Sequence, residues 1–199
     1  MDLDALTDQV LGRIFVELEA SGRHAHVTEE QAMTLFGHKL TPKRELSQPG
    51  QFLSNERVTV IGPKGEFKNV AVLGPERPEA QVEISLTDGR VLGIDPPIRP
   101  SGKVEGTPGA ILVGPCGQVE IKQGVLAAQR HIHMSPEDAK TMGVEDKQMV
   151  RLQTYTNRPV VFEELLVRVH PGFQTRVHLD YDEANACGFK AGDLGRILS

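Results

Sequence analysis

Two stretches of this chain, RHAHVTEEQAMT at 23–34 and RHIHMSPEDAKT at 130–141, carry the same phrase. At an offset of 107 residues, Arg23/Arg130, His24/His131, His26/His133, Glu30/Glu137, Ala32/Ala139 and Thr34/Thr141 are identical. VEISLTDGRVLG at 82–93 aligns with VHLDYDEANACG at 177–188, now at an offset of 95. The shorter second offset means that the first copy has the longer middle. An internal duplication restricts the fold, because each copy must be a unit able to bury its own apolar face. Two copies are too few for a solenoid. Two tandem small β-barrels fit better.

Alternating apolar and polar residues predict strands at 57–62, 69–74, 81–86, 117–122, 167–170 and 175–181. The Gly/Pro-rich stretch at 93–110 predicts a long ordered loop. Helices are expected to be short. Thr28 and Ser135 are N-cap candidates, with Gln31 completing a capping box and Pro136 at the favoured first helical position. Leu3, Leu6, Val10, Ile14 and Leu18 recur near the helical period and predict an amphipathic helix over 1–20, either packed on the domain or free to dock on a partner. The expected organisation is therefore mainly β. The helix at 1–20 precedes a first barrel at 21–128 and a second at 129–199.

The 199 residues carry a net charge of -5, which argues against a general nucleic-acid binder. No apolar run approaches the roughly 18 residues of a membrane-spanning helix. The N-terminus lacks the pattern of a secretory signal. The two cysteines make no disulfide framework, which fits a reducing cytoplasm. Cys187 and Cys116 read as small apolar residues rather than nucleophiles.

Residues i and i+2 of a strand share a face, so His24 with His26, and His131 with His133, can each grip one metal ion. A catalytic zinc takes three protein ligands and keeps one position open. The repeat supplies a third ligand on each closing strand, Glu83 in one copy and His178 in the other. Each copy can pair its own ligands, or the copies can exchange closing strands. Zinc suits both donor sets, as does cobalt or another divalent ion. His38 and His170 have no repeat partners and read as surface residues. Arg77 stands six residues before Glu83 and can fork onto a phosphate beside the metal. Ser101 and Gly102 can line an anion site. Arg23 and Arg130 face away from the histidine that follows, which fits a structural salt bridge.

LSQPGQF, VIGPKGEFKNVAVLGPERPEAQVEIS, GTPGAILVGP, GVLAAQRHIHMSPEDA and LDYDEANACG, in this order, resemble the PduL family of phosphate propanoyltransferases. The resemblance runs from Arg23 to the C-terminus. It implies tandem β-barrels, two zinc ions per chain, and reversible conversion of acyl-CoA plus phosphate to acyl phosphate plus CoA. It places His24, His26 and Glu83 on one zinc, and His131, His133 and His178 on the other. It also implies that Arg77 binds phosphate with Ser101 nearby, and that the protein is a homo-oligomer. Members that work inside bacterial microcompartments carry an N-terminal helix that docks on shell or cargo proteins, and 1–20 is similar to one. The first pair is His-Ala-His where relatives have His-Ile-His; the middle side chain faces away from the metal, so binding should be retained. A zinc hydrolase and a non-enzymatic zinc-stabilised binding module are the rival readings.

Overall fold

The computed structural model describes residues 14–198. Strand β1 (Val16–Ala20) leads into β2 (His24–His26), α1 (Glu29–Phe36), β3 (Pro42–Glu45), β4 (Phe52–Ile61), β5 (Glu66–Gly74) and β6 (Gln81–Glu83). Next come α2 (Leu86–Leu92), β7 (Ile98–Arg99), β8 (Ala110–Val113), β9 (Gln118–Ile121) and β10 (Val125–Ala128). The second copy runs β11 (His131–Met134), α3 (Pro136–Met142), β12 (Met149–Tyr155), β13 (Val161–Val169), β14 (Arg176–Leu179), α4 (Tyr181–Cys187) and β15 (Leu194–Leu198). The chain divides into two compact units. One is Gly22–Gln129, and the other joins Met1–Ser21 to Arg130–Ser199.

The second unit is a closed barrel with strand order β1-β14-β11-β13-β12-β15. The first is a curled nine-stranded sheet ordered β7-β10-β6-β2-β5-β4-β8-β9, with β3 paired to β4. The stretch that follows α2 accounts for this difference: in the first copy it supplies β8 and β9, which pair with each other, whereas in the second unit β15 follows α4 and closes onto β1.

The predicted helix over 1–20 needs correction. Residues 1–13 lie outside the described residues, but Val16–Ala20 is a strand. Its sequence VELEA alternates, with Val16 and Leu18 only 2% exposed and Glu17 and Glu19 facing outward. β14 and β15 would each lose a hydrogen-bonding neighbour without it. β1 lies parallel to β14, setting Leu18 opposite Val177 and Glu19 opposite His178. The repeat-equivalent strand β10 lies parallel to β6, setting Val125 opposite Val82 and Leu126 opposite Glu83. Each leading strand therefore joins the sheet of the other copy, while the metal-site strands stay within their own.

Alternation separates core from site. Ala25, Ile132, Val82 and Val177 are fully buried in the two apolar cores, so their neighbours at i±1 point to the opposite face. The duplication reaches backbone detail. Asn69 and Glu164, 95 positions apart, both hold left-handed φ values of 59° and 54° beside matched register shifts. Two of the helices were not expected. The alternation at 81–86 and 175–181 predicts strands throughout, but α2 and α4 begin at the last residue of each stretch. Ser85 with Asp88, and Asp180 with Glu183, form full capping boxes that stop the strands. The expected caps at Thr28 and Ser135 are present, Gln31 closes the box of α1, and Pro136 stands at the start of α3.

Candidate metal centres

His24 stands directly opposite Glu83 across the antiparallel pair β2–β6, and His26 stands opposite Gln81. The three ligand candidates His24, His26 and Glu83 are 6%, 2% and 8% exposed. Their ligand atoms all lie within 4.8 Å of one another. His24 Nδ1 faces the Gly22 carbonyl at 2.8 Å and His26 Nδ1 faces the Leu73 carbonyl at 3.2 Å. Each contact requires Nδ1 to carry the proton, which leaves Nε2 with a lone pair. His24 Nε2 is 3.6 Å from Glu83 Oε2, beyond hydrogen-bond range. Two tetrahedral zinc bonds would set such atoms about 3.3 Å apart. Burial above all, then His24, then the charge of Arg77, hold the His26 imidazole well below its ordinary range. His26 is thus kept neutral, as a metal ligand must be.

The second centre repeats this plan. His131 stands directly opposite His178 across β11–β14, and their rings stack at 4.9 Å. His131, His133 and His178 bring their ligand atoms within 4.8 Å of one another. His133 is 3% exposed, and its Nε2 is buried without a hydrogen-bond partner. An orphaned buried nitrogen is uncommon, and a metal ion would satisfy it. Burial, followed by His178, His131 and Arg168, pushes the His133 imidazole down to about 2. Both donor sets therefore fit a divalent ion. Each copy brings together its own three candidate donors, with no exchange of β6 and β14 between the copies.

The repeated arginines hold these strands in place. Arg23 donates to Asp88 through two bonds of 3.0 and 2.7 Å, and its guanidinium lies 4.1 Å from the centre of the Phe67 ring. Arg130 donates to Glu183 Oε1 at 2.6 Å and lies 5.5 Å from the Phe162 ring centre. Asp88/Glu183 and Phe67/Phe162 are themselves equivalent under the repeat. Each arginine thus ties the strand of the paired histidines to the helix that follows the third ligand. The salt-bridge reading of Arg23 and Arg130 holds.

Arg77 anchors its loop to the end of β2, its N–H donating to the Val27 carbonyl at 2.9 Å. Ser101 Oγ accepts from Gln81 Nε2 at 2.9 Å, and Gln81 Nε2 also donates to Glu83 Oε1 at 2.5 Å. Ser101 thereby joins the first centre. Sequence reasoning missed Gln81, although it shares a strand face with Glu83 at i and i+2. It also missed Arg168, set opposite His133 on β13, and Phe173, whose ring stacks on His133 at 4.1 Å. Buried Cys187, with its thiol pKa raised by desolvation, is a core residue, and Cys116 is exposed. His38 and His170 are exposed and stand outside both metal-ligand groups. No helix among the described residues is long and apolar enough to cross a membrane.

The chain is 52% identical to a phosphate propanoyltransferase of Enterococcus faecalis over 184 residues, covering 92% of this chain and 87% of that one. It is 47% identical to the phosphate propanoyltransferase of Clostridioides difficile over 202 residues, covering 98% and 97%. It is 49% identical to the enzyme of the same name from Thermotoga maritima over 181 residues, covering 89% and 86%. The family profile for phosphate propanoyltransferase matches residues 17–190. With the family profile spanning residues 17–190 and about half of the residues identical over most of the chain, this chain belongs to the phosphate propanoyltransferase family and is an acyltransferase.

Proposed function

We propose that this acyltransferase works with two zinc ions per chain, one held by His24, His26 and Glu83, the other by His131, His133 and His178. The observation that carries this reading is the close approach of the donor atoms in two three-residue sets, in each of which burial keeps one histidine, His26 or His133, neutral. When bound, the ions would supply charge neutralisation for phosphate and the developing oxyanion, and would polarise the thioester carbonyl. Arg77 would hold phosphate through its planar fork and orient one oxygen toward the carbonyl carbon. That oxygen forms the new C–O bond, and the C–S bond then breaks. CoA leaves as the thiolate and takes up the proton that the hydrogen phosphate gives up. Ser101 would donate a hydrogen bond from its hydroxyl to an anionic oxygen at the first centre. By microscopic reversibility, the reverse transfer from acyl phosphate to CoA would use the same groups.

Propanoyl- and acetyl-CoA differ by one methylene, worth about 1–3 kcal/mol in a fitted pocket. Both would serve as substrates, at different rates. The enzyme would act as a homo-oligomer in the cytoplasm, inside a bacterial microcompartment, with the segment ahead of Val16 docking on shell or cargo proteins. Metal content per chain, measured beside CoA release from both thioesters with and without phosphate, tests the reaction. Two zincs with strictly phosphate-dependent release is the expected result. Release without phosphate would make the protein a hydrolase, and active protein without metal would overturn the ligand assignment.

A further inference from the structure

Gln81 is 1% exposed, yet it is a neutral amide with no charge to contribute. Its four hydrogen-bonding valences go almost wholly to one site. Nε2 donates to Glu83 Oε1 at 2.5 Å and to Ser101 Oγ at 2.9 Å, while Oε1 accepts from the Gly102 N–H at 2.7 Å. The amide orientation follows from chemistry. A carboxylate cannot donate to the side-chain oxygen, and a backbone N–H cannot donate to the NH2 group. Glu83 Oε1 is therefore spent on Gln81, and Oε2 is the oxygen left facing His24 Nε2 at 3.6 Å. Ser101 Oγ accepts from Gln81, so its own proton must point elsewhere.

Resting on the metal reading above, we infer that Gln81 is a positioning residue for the first centre: it selects Glu83 Oε2 as the ligand atom and fixes Ser101 as a hydrogen-bond donor. The repeat shows that this device belongs to one centre only. The equivalent position in the second copy is Arg176, which pairs with Glu17 of β1 at 2.8 Å. His178, the equivalent of Glu83, offers no second oxygen that needs restraint. Groups that orient a metal ligand typically contribute 10–100-fold in metal affinity.

The test is competition between a chromogenic chelator and metal-stripped full-length protein titrated with Zn2+, with the two ions resolved as two steps. In Gln81→Met, the step of the His24–His26–Glu83 centre should weaken roughly 10–100-fold, while the His131–His133–His178 step stays unchanged. Ser101→Ala should leave both steps unchanged and raise the KM for phosphate, which separates the two arms of the amide. Should Gln81→Met fail to fold, Gln81→Asn, one methylene shorter, cannot reach both partners and should weaken the same step. An unaltered first step in either folded variant overturns the role of Gln81 alone. Wild-type protein with no ion at the first centre overturns the metal reading, and this inference with it.

Discussion

Deleting residues 1–20 should collapse the second unit, whereas deleting 1–13 should spare every described strand. β1 contributes Val16 and Leu18, both 2% exposed, to the second core. Burying two such side chains is worth about 3–6 kcal/mol. β1 also pairs with β14 over four registered residues and with β15 over two. Two further backbone bonds run from the Leu18 N–H to Asp193 O at 3.0 Å and from the Ser21 N–H to Leu179 O at 2.7 Å. At about 0.5–1.5 kcal/mol net per bond, the ladder adds a similar amount. The total of roughly 6–12 kcal/mol rivals the entire stability of a typical domain. The damage also reaches the metal centre, since Glu19 stands directly opposite His178. Urea unfolding followed by far-ultraviolet circular dichroism, with zinc counted in the same samples, reads both effects. The shorter deletion should unfold like the full chain with two zincs; the longer one should lose its cooperative transition and about one zinc per chain. A 1–20 deletion with a wild-type midpoint and two zincs would refute the assignment of β1 to the barrel.

Arg77→Ala should keep its full zinc complement and raise the KM for phosphate about 10–100-fold, the value of one charge-assisted contact; steady-state kinetics against phosphate will show it. His131→Ala should lose about one zinc per chain and nearly all activity, as metal analysis of the purified variant will report. Metal-stripped protein should lose stability as pH falls below about 6.5, because His26 and His133 stay neutral when folded while their unfolded counterparts take up protons. Each contributes a slope of about 1.4 kcal/mol per pH unit, and Asp180, whose carboxyl is lifted to about 6 chiefly by burial, opposes one of them between about pH 6 and 4. Urea midpoints measured from pH 8 to 4 give the net slope; a flat profile would contradict it. Glu164→Asn should raise stability by up to about 1 kcal/mol, because exposed Glu164 holds the φ of 54° that Asn69 holds in the first copy. A lower urea midpoint would refute that.

The centres were legible because strand ligands obey a period of two. His-Ala-His and His-Ile-His announce themselves once Ala25 and Ile132 are seen as the inward residues, and the repeat then points to Glu83 and His178. β1 was hidden because VELEA satisfies two periods at once: Leu18 lies four residues after Ile14, yet also two after Val16. Helices α2 and α4 have seven residues each, fewer than two turns, so their apolar stripe is too short to compete with the preceding alternation. Their capping boxes were present in the sequence and are the better signal. Gln81 gave none, because the importance of a neutral amide depends on what the distant Ser101–Gly102 turn brings to it. The exchange of β1 and β10 was equally out of reach, since either pairing satisfies the same local pattern.

The two copies keep their scaffold and diverge in their charge. The clamps Arg23–Asp88 and Arg130–Glu183, the aromatic rings beneath them and the left-handed residues at 69 and 164 all match under the repeat. Around the ligands the matches fail. Glu83 becomes His178, Gln81 becomes Arg176, Leu73 becomes Arg168, and Arg77 becomes Gly172. A divalent ion among His24, His26 and Glu83 would carry one net positive charge, and Arg77 restores the second from outside the ligand set. The same ion among three neutral imidazoles keeps its full charge, and Arg168 adds to it. Under the two-ion proposal, the first centre would have its added positive charge on a guanidinium fork suited to phosphate, while the second would carry it on the ion itself. That asymmetry would suit a reaction joining two unlike substrates.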